Sequence, residues 1–123
     1  MSKALRACAS AQALLELNDV DGACNRAYYA MFDAAHVALL ASNAPVSQDI
    51  GKTHKGLITT FSLHLVKSDL VPKELGRILK RAEEIRLVAD YRGDSVEFKD
   101  AREMVEQAKI FVEAIRTRFL ENP

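Results

Sequence analysis

A chain of 123 residues can bury one hydrophobic core and has no room for a second, so a single domain over residues 1–123 is expected. Seventeen basic side chains balance seventeen acidic ones, which argues against a general polyanion binder. No apolar run approaches the ~20 residues of a membrane span or forms a signal-peptide core, and Cys8 and Cys24 sit among alanines without CxxC spacing, so the expected setting is cytoplasmic and reducing, away from membranes.

Helical periodicity dominates the whole chain, and the expected fold class is all-α, a bundle of about five helices. The first helix is predicted from about Lys3 to Leu17, with Ala4, Ala7, Cys8, Ala11, Leu14 and Leu15 inward. Asn18 to Gly22 forms the turn. The second helix runs from about Asp21 to Ala41 and carries alanine at 23, 27, 30, 34, 35, 38 and 41, a density that favours helix and permits a neighbouring helix to approach closely. It should be central. Ser42 to Gly51, with Pro45 and several small polar residues, is the longest predicted loop.

A third helix is predicted from about Thr53 to Lys67, with Leu57, Ile58, Phe61 and Leu65 inward, and Asp69 to Pro72 closes it. Pro72 suits the first turn of a fourth helix reaching Asp90 or Tyr91, because a missing N–H costs nothing there. Arg92-Gly93-Asp94-Ser95 breaks the pattern. A final helix from about Phe98 to Glu121 carries the cleanest apolar stripe: Ala101, Met104, Val105, Ala108, Phe111, Val112, Ile115 and Phe119.

Two patterns carry chemistry. On the fourth helix the core-facing positions are Leu75, Leu79, Ala82, Arg86 and Ala89, which puts a guanidinium in an apolar stripe. Arginine cannot shed its proton, so it requires either a carboxylate or a cleft built for an anion. Residues 52 to 92 hold nine basic and five acidic side chains, a local net of +4, so positive potential gathers on the same stretch. On the second helix, Arg26, Tyr29, Asp33 and His36 fall at steps of three and four and form one polar stripe beside the alanine face. That stripe is either a solvent face or the other wall of the Arg86 cleft.

Other apparent signals fail on spacing. Gly51-Lys52-Thr53 resembles the end of a phosphate-binding loop, but the first glycine would stand at Val46 and no strand precedes it. Arg92-Gly93-Asp94 has the letters of an adhesion tripeptide and the composition of an ordinary turn. His36, His54 and His64 share no metal-ligand spacing, so no metal site is expected.

Taken together, the segments NRAYYAMFDAA, KTHKGLITTF and KELGRILKRAEEIRLVADYRG resemble the HEPN domain family of prokaryotes, from about residue 5 to residue 118 and in the expected helix order. The resemblance implies a helical bundle, homodimeric, with the second and fourth helices lining a shared cleft. It further implies a toxin of a toxin–antitoxin pair whose partner is a minimal nucleotidyltransferase, with RNA or a nucleotide as ligand and no cofactor. In ribonuclease members an arginine is followed after four to six residues by a histidine; the arginine would stabilise charge on phosphorus and the histidine would move a ribose proton.

Arg86 matches that arginine, but Asp90 and Tyr91 stand where the histidine is expected, and no histidine follows anywhere in the chain. Two substitutes are open: His54, on the inward side of the third helix, or Tyr91, as the acceptor of a nucleotidyl group. The candidate catalytic residues are therefore Arg86, Asp90, Tyr91 and His54, and the candidate nucleotide- or RNA-binding residues are Asn25, Arg26, Tyr29 and Asp33. An alternative of a different class also stands. In it the domain is a non-catalytic dimeric interaction module, and Arg86 belongs to a buried structural network.

Overall fold

A computed structural model describes residues 1–43, 53–91 and 96–120, with the side chains of residues 90 and 91 left out. It contains five α-helices and, among the described residues, no strand: α1 (Ser2–Glu16), α2 (Val20–Ala41), α3 (His54–Phe61), α4 (Lys73–Tyr91) and α5 (Phe98–Phe119). The predicted Ser42–Gly51 loop beyond Asn43 and the Arg92–Ser95 breaker lie outside the described residues.

Helix α2 is the centre of the bundle, packed against α1, α3, α4 and α5. Its alanines at 23, 27, 30, 34, 35 and 38 are all fully buried. The small-residue face thus lies against neighbouring helices of the same chain, and it does not need a second copy to cover it. The turn from α1 into α2 is built by Asn18 in the left-handed region (φ 63°) and by Asp19, whose carboxylate accepts from the Gly22 N–H at 3.0 Å. A Cβ at Gly22 would stand 2.5 Å from that carboxylate, so glycine lets the cap close.

Around α2, the inner faces follow the predicted stripes. Ala4, Ala7, Ala11 and Leu15 of α1 are buried, as are Ala101, Met104, Val105, Ala108, Phe111, Val112 and Ile115 of α5. Lys109 of α5 donates to the Gln12 side chain of α1 at 2.7 Å, closing the polar rim of that contact. The backbone N–H of Val96 donates to Asp21 at 3.2 Å, which ties the approach to α5 onto the first turn of α2.

The third helix departs from expectation. It is α-helical only over His54–Phe61, and Ser62–Val66 forms a wider π-helical turn, with the Lys67 N–H bonded to the Ser62 carbonyl at 3.0 Å. Leu57, Phe61 and Leu65, each four residues apart, are all fully buried. A regular helix of 3.6 residues per turn would rotate each of them about 40° further round the axis. The wider turn cancels that drift and keeps Leu65 in the core. Asp69, in the left-handed region (φ 62°), ends the segment, and Leu70 and Val71 both bond back to the Leu65 carbonyl. Pro72 then immediately precedes α4.

Candidate functional site

The site begins with Tyr28, whose ring is fully buried on the inner face of α2 among Cys24, Ala27 and Met31. A phenol in that position needs a partner for its hydroxyl. His54 supplies it from the first turn of α3, with Nδ1 2.7 Å from the Tyr28 Oη and the two rings nearly parallel at 7°. The histidine is set at that height by Thr53, whose hydroxyl caps α3 by accepting from the Gly56 N–H at 3.1 Å. Tyr29 and Phe32 close around the imidazole, with ring centroids 5.5 and 4.9 Å away.

Arg86 reaches the same tyrosine from α4. It is 9% exposed, and its Cζ stands 5.0 Å from the centroid of the Tyr28 ring. One turn earlier on α4, Glu83 brings Oε2 within 3.5 Å of the guanidinium and 4.0 Å of the His54 Nδ1. The arginine is therefore held by an aromatic face and a carboxylate together. Burial works to lower its pKa, but Glu83 and Tyr28 outweigh that and the pKa is raised.

These neighbours also set the titration of the rest of the cluster. Burial, followed by the Arg86 charge, lowers the pKa of His54 below the usual histidine value, and Glu83 offsets only part of it. Burial and the nearby negative charge of Glu83 raise the pKa of Tyr28, so the phenol keeps its proton. At neutral pH the cluster is thus a neutral imidazole, a protonated phenol and a fixed cation with its counter-ion.

Of the residues singled out in the sequence, His54, Arg86 and Tyr29 converge here. Asp90 and Tyr91 lie in the last turn of α4, and their side chains fall outside the described residues. Asp33 is directed elsewhere: its carboxylate lies 4.0 Å from Lys3 of α1, with the Arg26 cation and the His36 ring as further neighbours, and burial raises its pKa. Asn25 and Arg26 are half-buried on α2, so the polar stripe divides, with Tyr29 toward His54 and Asp33 toward α1.

Tyr28 and Glu83 were not singled out in the sequence. Two signals could have found them: a tyrosine on an alanine face has an unsatisfied hydroxyl, and a glutamate three residues before a buried arginine is within ion-pair reach. Among the described residues no group of three His, Cys, Asp or Glu side chains is arranged to hold a metal ion. Nor is any described helix long and apolar enough to cross a membrane. A separate cavity of about 120 Å³ between α2, α4 and α5 is floored by Met31, Ile78 and Met104 and rimmed by both signs of charge; none of the His54 cluster lines it.

Comparison with known proteins agrees with this architecture. The family model of the HEPN domain matches residues 1–118. The "Putative toxin MJ0605" of Methanocaldococcus jannaschii is 32% identical over 96 residues, covering 78% of this chain and 68% of that protein. A "UPF0332 protein" of Thermotoga maritima is 35% identical over 107 residues, covering 85% and 76%. A further "UPF0332 protein" of Gloeobacter violaceus is 32% identical over 115 residues, covering 92% and 87%.

Proposed function

The chain belongs to the HEPN domain family, and from that premise we propose that it is a toxin-like protein that cleaves RNA at the His54–Arg86 cluster without a metal ion. The observation that carries this reading is that His54 and Arg86, from α3 and α4, are both held on Tyr28 of α2. A proton acceptor and a fixed cation are thereby neighbours, although the arginine has no histidine after it in sequence.

In the proposed step, His54 accepts the proton of a ribose 2′-OH. The 2′-oxygen forms a bond to the adjacent phosphorus, and the bond from phosphorus to the 5′-oxygen breaks. The proton returns from the imidazolium to the departing 5′-oxygen, leaving a 2′,3′-cyclic phosphate and a 5′-hydroxyl. Arg86 stabilises the negative charge that builds on the phosphoryl oxygens. The "Putative toxin" relative supports the toxin-like part of the reading.

The same proposal includes a homodimer and a nucleotidyltransferase-type antitoxin. Leu87 and Val88, apolar and 38% and 37% exposed beside Arg86 on α4, offer a surface for either. Asn25 and Arg26 would contact the RNA or nucleotide backbone, and Asp90 and Tyr91 would border the cleft at the end of α4, with Tyr91 as the acceptor if the partner silences by nucleotidyl transfer. The test is incubation of purified protein with mixed-sequence RNA in excess EDTA, alongside expression in a bacterial host. Cyclic-phosphate ends that disappear in His54→Asn, together with growth arrest, are expected. Intact RNA and normal growth would overturn the reading.

A second reading has its own observation. Arg86 is 9% exposed and ion-paired with Glu83 at 3.5 Å, as in a buried network that fixes structure. In that case the domain is a non-catalytic interaction module, and Arg86→Lys would alter stability or assembly while no RNA cleavage is seen in the parent protein.

A further inference from the structure

Glu83 is set apart from other acids of this bundle by where its ion pair lies. Glu74–Arg77, Glu106–Lys109 and Glu113–Arg116 are also pairs three residues apart on one helix, but their carboxylate side chains are 58–61% exposed, and water screens such pairs until they contribute little. The Glu83 side chain is 19% exposed and that of its partner Arg86 10%. Taking a carboxylate out of water is costly unless nearby groups replace its hydration, so the use of this one lies in what it faces.

A single oxygen does the facing. Oε2 of Glu83 lies 3.5 Å from both Nε and Nη2 of Arg86 and 4.0 Å from Nδ1 of His54. Toward the arginine it meets a permanent charge, held over the Tyr28 ring. Toward the histidine it meets a charge that exists only when the imidazole is protonated. A protonated imidazole carries N–H on both nitrogens, so Nδ1 then donates to the Tyr28 hydroxyl at 2.7 Å whichever neutral tautomer came before. Two cations side by side in a site with little water repel each other, and Oε2 is within ion-pair reach of both.

We propose that Glu83 is a positioning residue: one carboxylate oxygen aims the Arg86 guanidinium and supplies the counter-charge for the imidazolium that forms when His54 takes the proton of the ribose 2′-OH. The proposal rests on His54 being the proton acceptor of the reaction above, but the charge coupling can be read with no RNA present. The titratable and charged groups around His54 are Tyr28 and Tyr29 of α2, Glu83 and Arg86 of α4, and Lys55, the next residue of α3. Burial first and Arg86 second disfavour the charged ring, and Glu83 works against both.

The experiment follows the His54 ring through its acid titration by ¹H–¹⁵N NMR in the parent, Glu83→Gln, Glu83→Asp and Glu74→Gln, with the resonances assigned by their absence in His54→Gln. Glu83→Gln keeps the shape and an acceptor for Arg86 while removing the charge, so the His54 midpoint should move to lower pH. The acid limb of the pH profile of kcat/KM for RNA cleavage should move with it, and kcat at neutral pH should fall on the order of tenfold or more. Glu83→Asp keeps the charge one methylene further back, so its midpoint should lie between those of the parent and the glutamine variant; it is the second test should Glu83→Gln not fold. Glu74→Gln removes an exposed carboxylate from the same helix and should leave both readouts at parental values. A His54 midpoint that is unmoved or raised in a folded Glu83 variant overturns the proposal. A lowered midpoint with no RNA cleavage by the parent would support the charge coupling and sink the ribonuclease reading; cleavage by the parent with an unmoved midpoint would do the reverse.

Discussion

The guanidinium carbon of Arg86 lies 5.0 Å from the centroid of the Tyr28 ring, so the cation that α4 carries into the bundle rests on an aromatic face supplied by α2. An isolated arginine in an apolar stripe would be a heavy cost; one that covers a tyrosine and pairs with a glutamate on its own helix is accommodated. The same tyrosine holds His54 through its hydroxyl, so a single side chain is the common support of the two groups proposed to carry the chemistry.

Truncation of the arginine should therefore be felt in the fold. Arg86→Ala leaves Glu83 without its ion pair and the Tyr28 ring uncovered, and a loss of about 2–4 kcal/mol in urea denaturation is expected. Arg86→Lys keeps the charge but loses the planar contact with ring and carboxylate, so stability should fall by only about 1–2 kcal/mol while RNA cleavage is abolished. Cleavage by a stable lysine variant at the parental rate would remove Arg86 from the chemistry.

Stability should depend on pH through His54. Its pKa in the folded protein lies below the ordinary histidine value of 6.5, for reasons of burial first and the Arg86 charge second, with Glu83, Tyr28 and Tyr29 as the other groups around the ring. The unfolded chain thus binds the proton more tightly. The sign follows: stability is fully present above about pH 6.5 and declines as pH falls from there to the folded pKa, below which this contribution is constant. The difference between the parent and His54→Gln denaturation midpoints, followed from pH 8 to pH 5, should show that decline; a difference that grows toward acid pH would contradict it.

The cap of α3 links local structure to the site. Thr53→Ala removes the acceptor for the Gly56 N–H and should cost about 1 kcal/mol. Because His54 is the next residue, the same variant should loosen the imidazole, seen as broadened His54 ring signals and reduced cleavage. A matched cap removal at Asp19→Ala, which loses the bond from Gly22, should cost a similar amount of stability and leave His54 unchanged.

Helix α2 tolerates no enlargement on its buried face. Ala27→Leu forces a larger side chain into a fully buried position and should destabilise by about 1–3 kcal/mol in thermal or urea unfolding, whereas Ala9→Leu on the exposed side of α1 should be within about 0.5 kcal/mol of the parent.

Much of this was legible in the order of residues, and the failures have definite causes. The five helices follow from apolar spacing, and Arg86 stood out because Leu75, Leu79 and Ala82 share its stripe and are buried with it. Spacing along one helix, however, does not say which residue of another helix it meets. That relative register is set by packing, so the polar stripe of α2 could be read either as a solvent face or as the other wall of the Arg86 cleft, and spacing did not show that Tyr28 lies under the guanidinium while Asp33 lies near Lys3. The π-helical turn was hidden for a related reason: Leu57, Phe61 and Leu65 repeat every four residues, and an ordinary helix seemed to accommodate that repeat.

Helix α3 has eight residues, fewer than a helix needs to persist alone in water. Its order is conferred by Leu57 and Phe61 in the core, whereas Tyr28 and Arg86 sit on helices of 22 and 19 residues. The cluster is therefore built from two durable walls and one element with little stability of its own. Local opening of α3 would withdraw the imidazole and bare the tyrosine while the rest of the bundle stays folded. In amide exchange, the backbone around His54 should be the first part of the site to exchange, well ahead of the backbone around Tyr28.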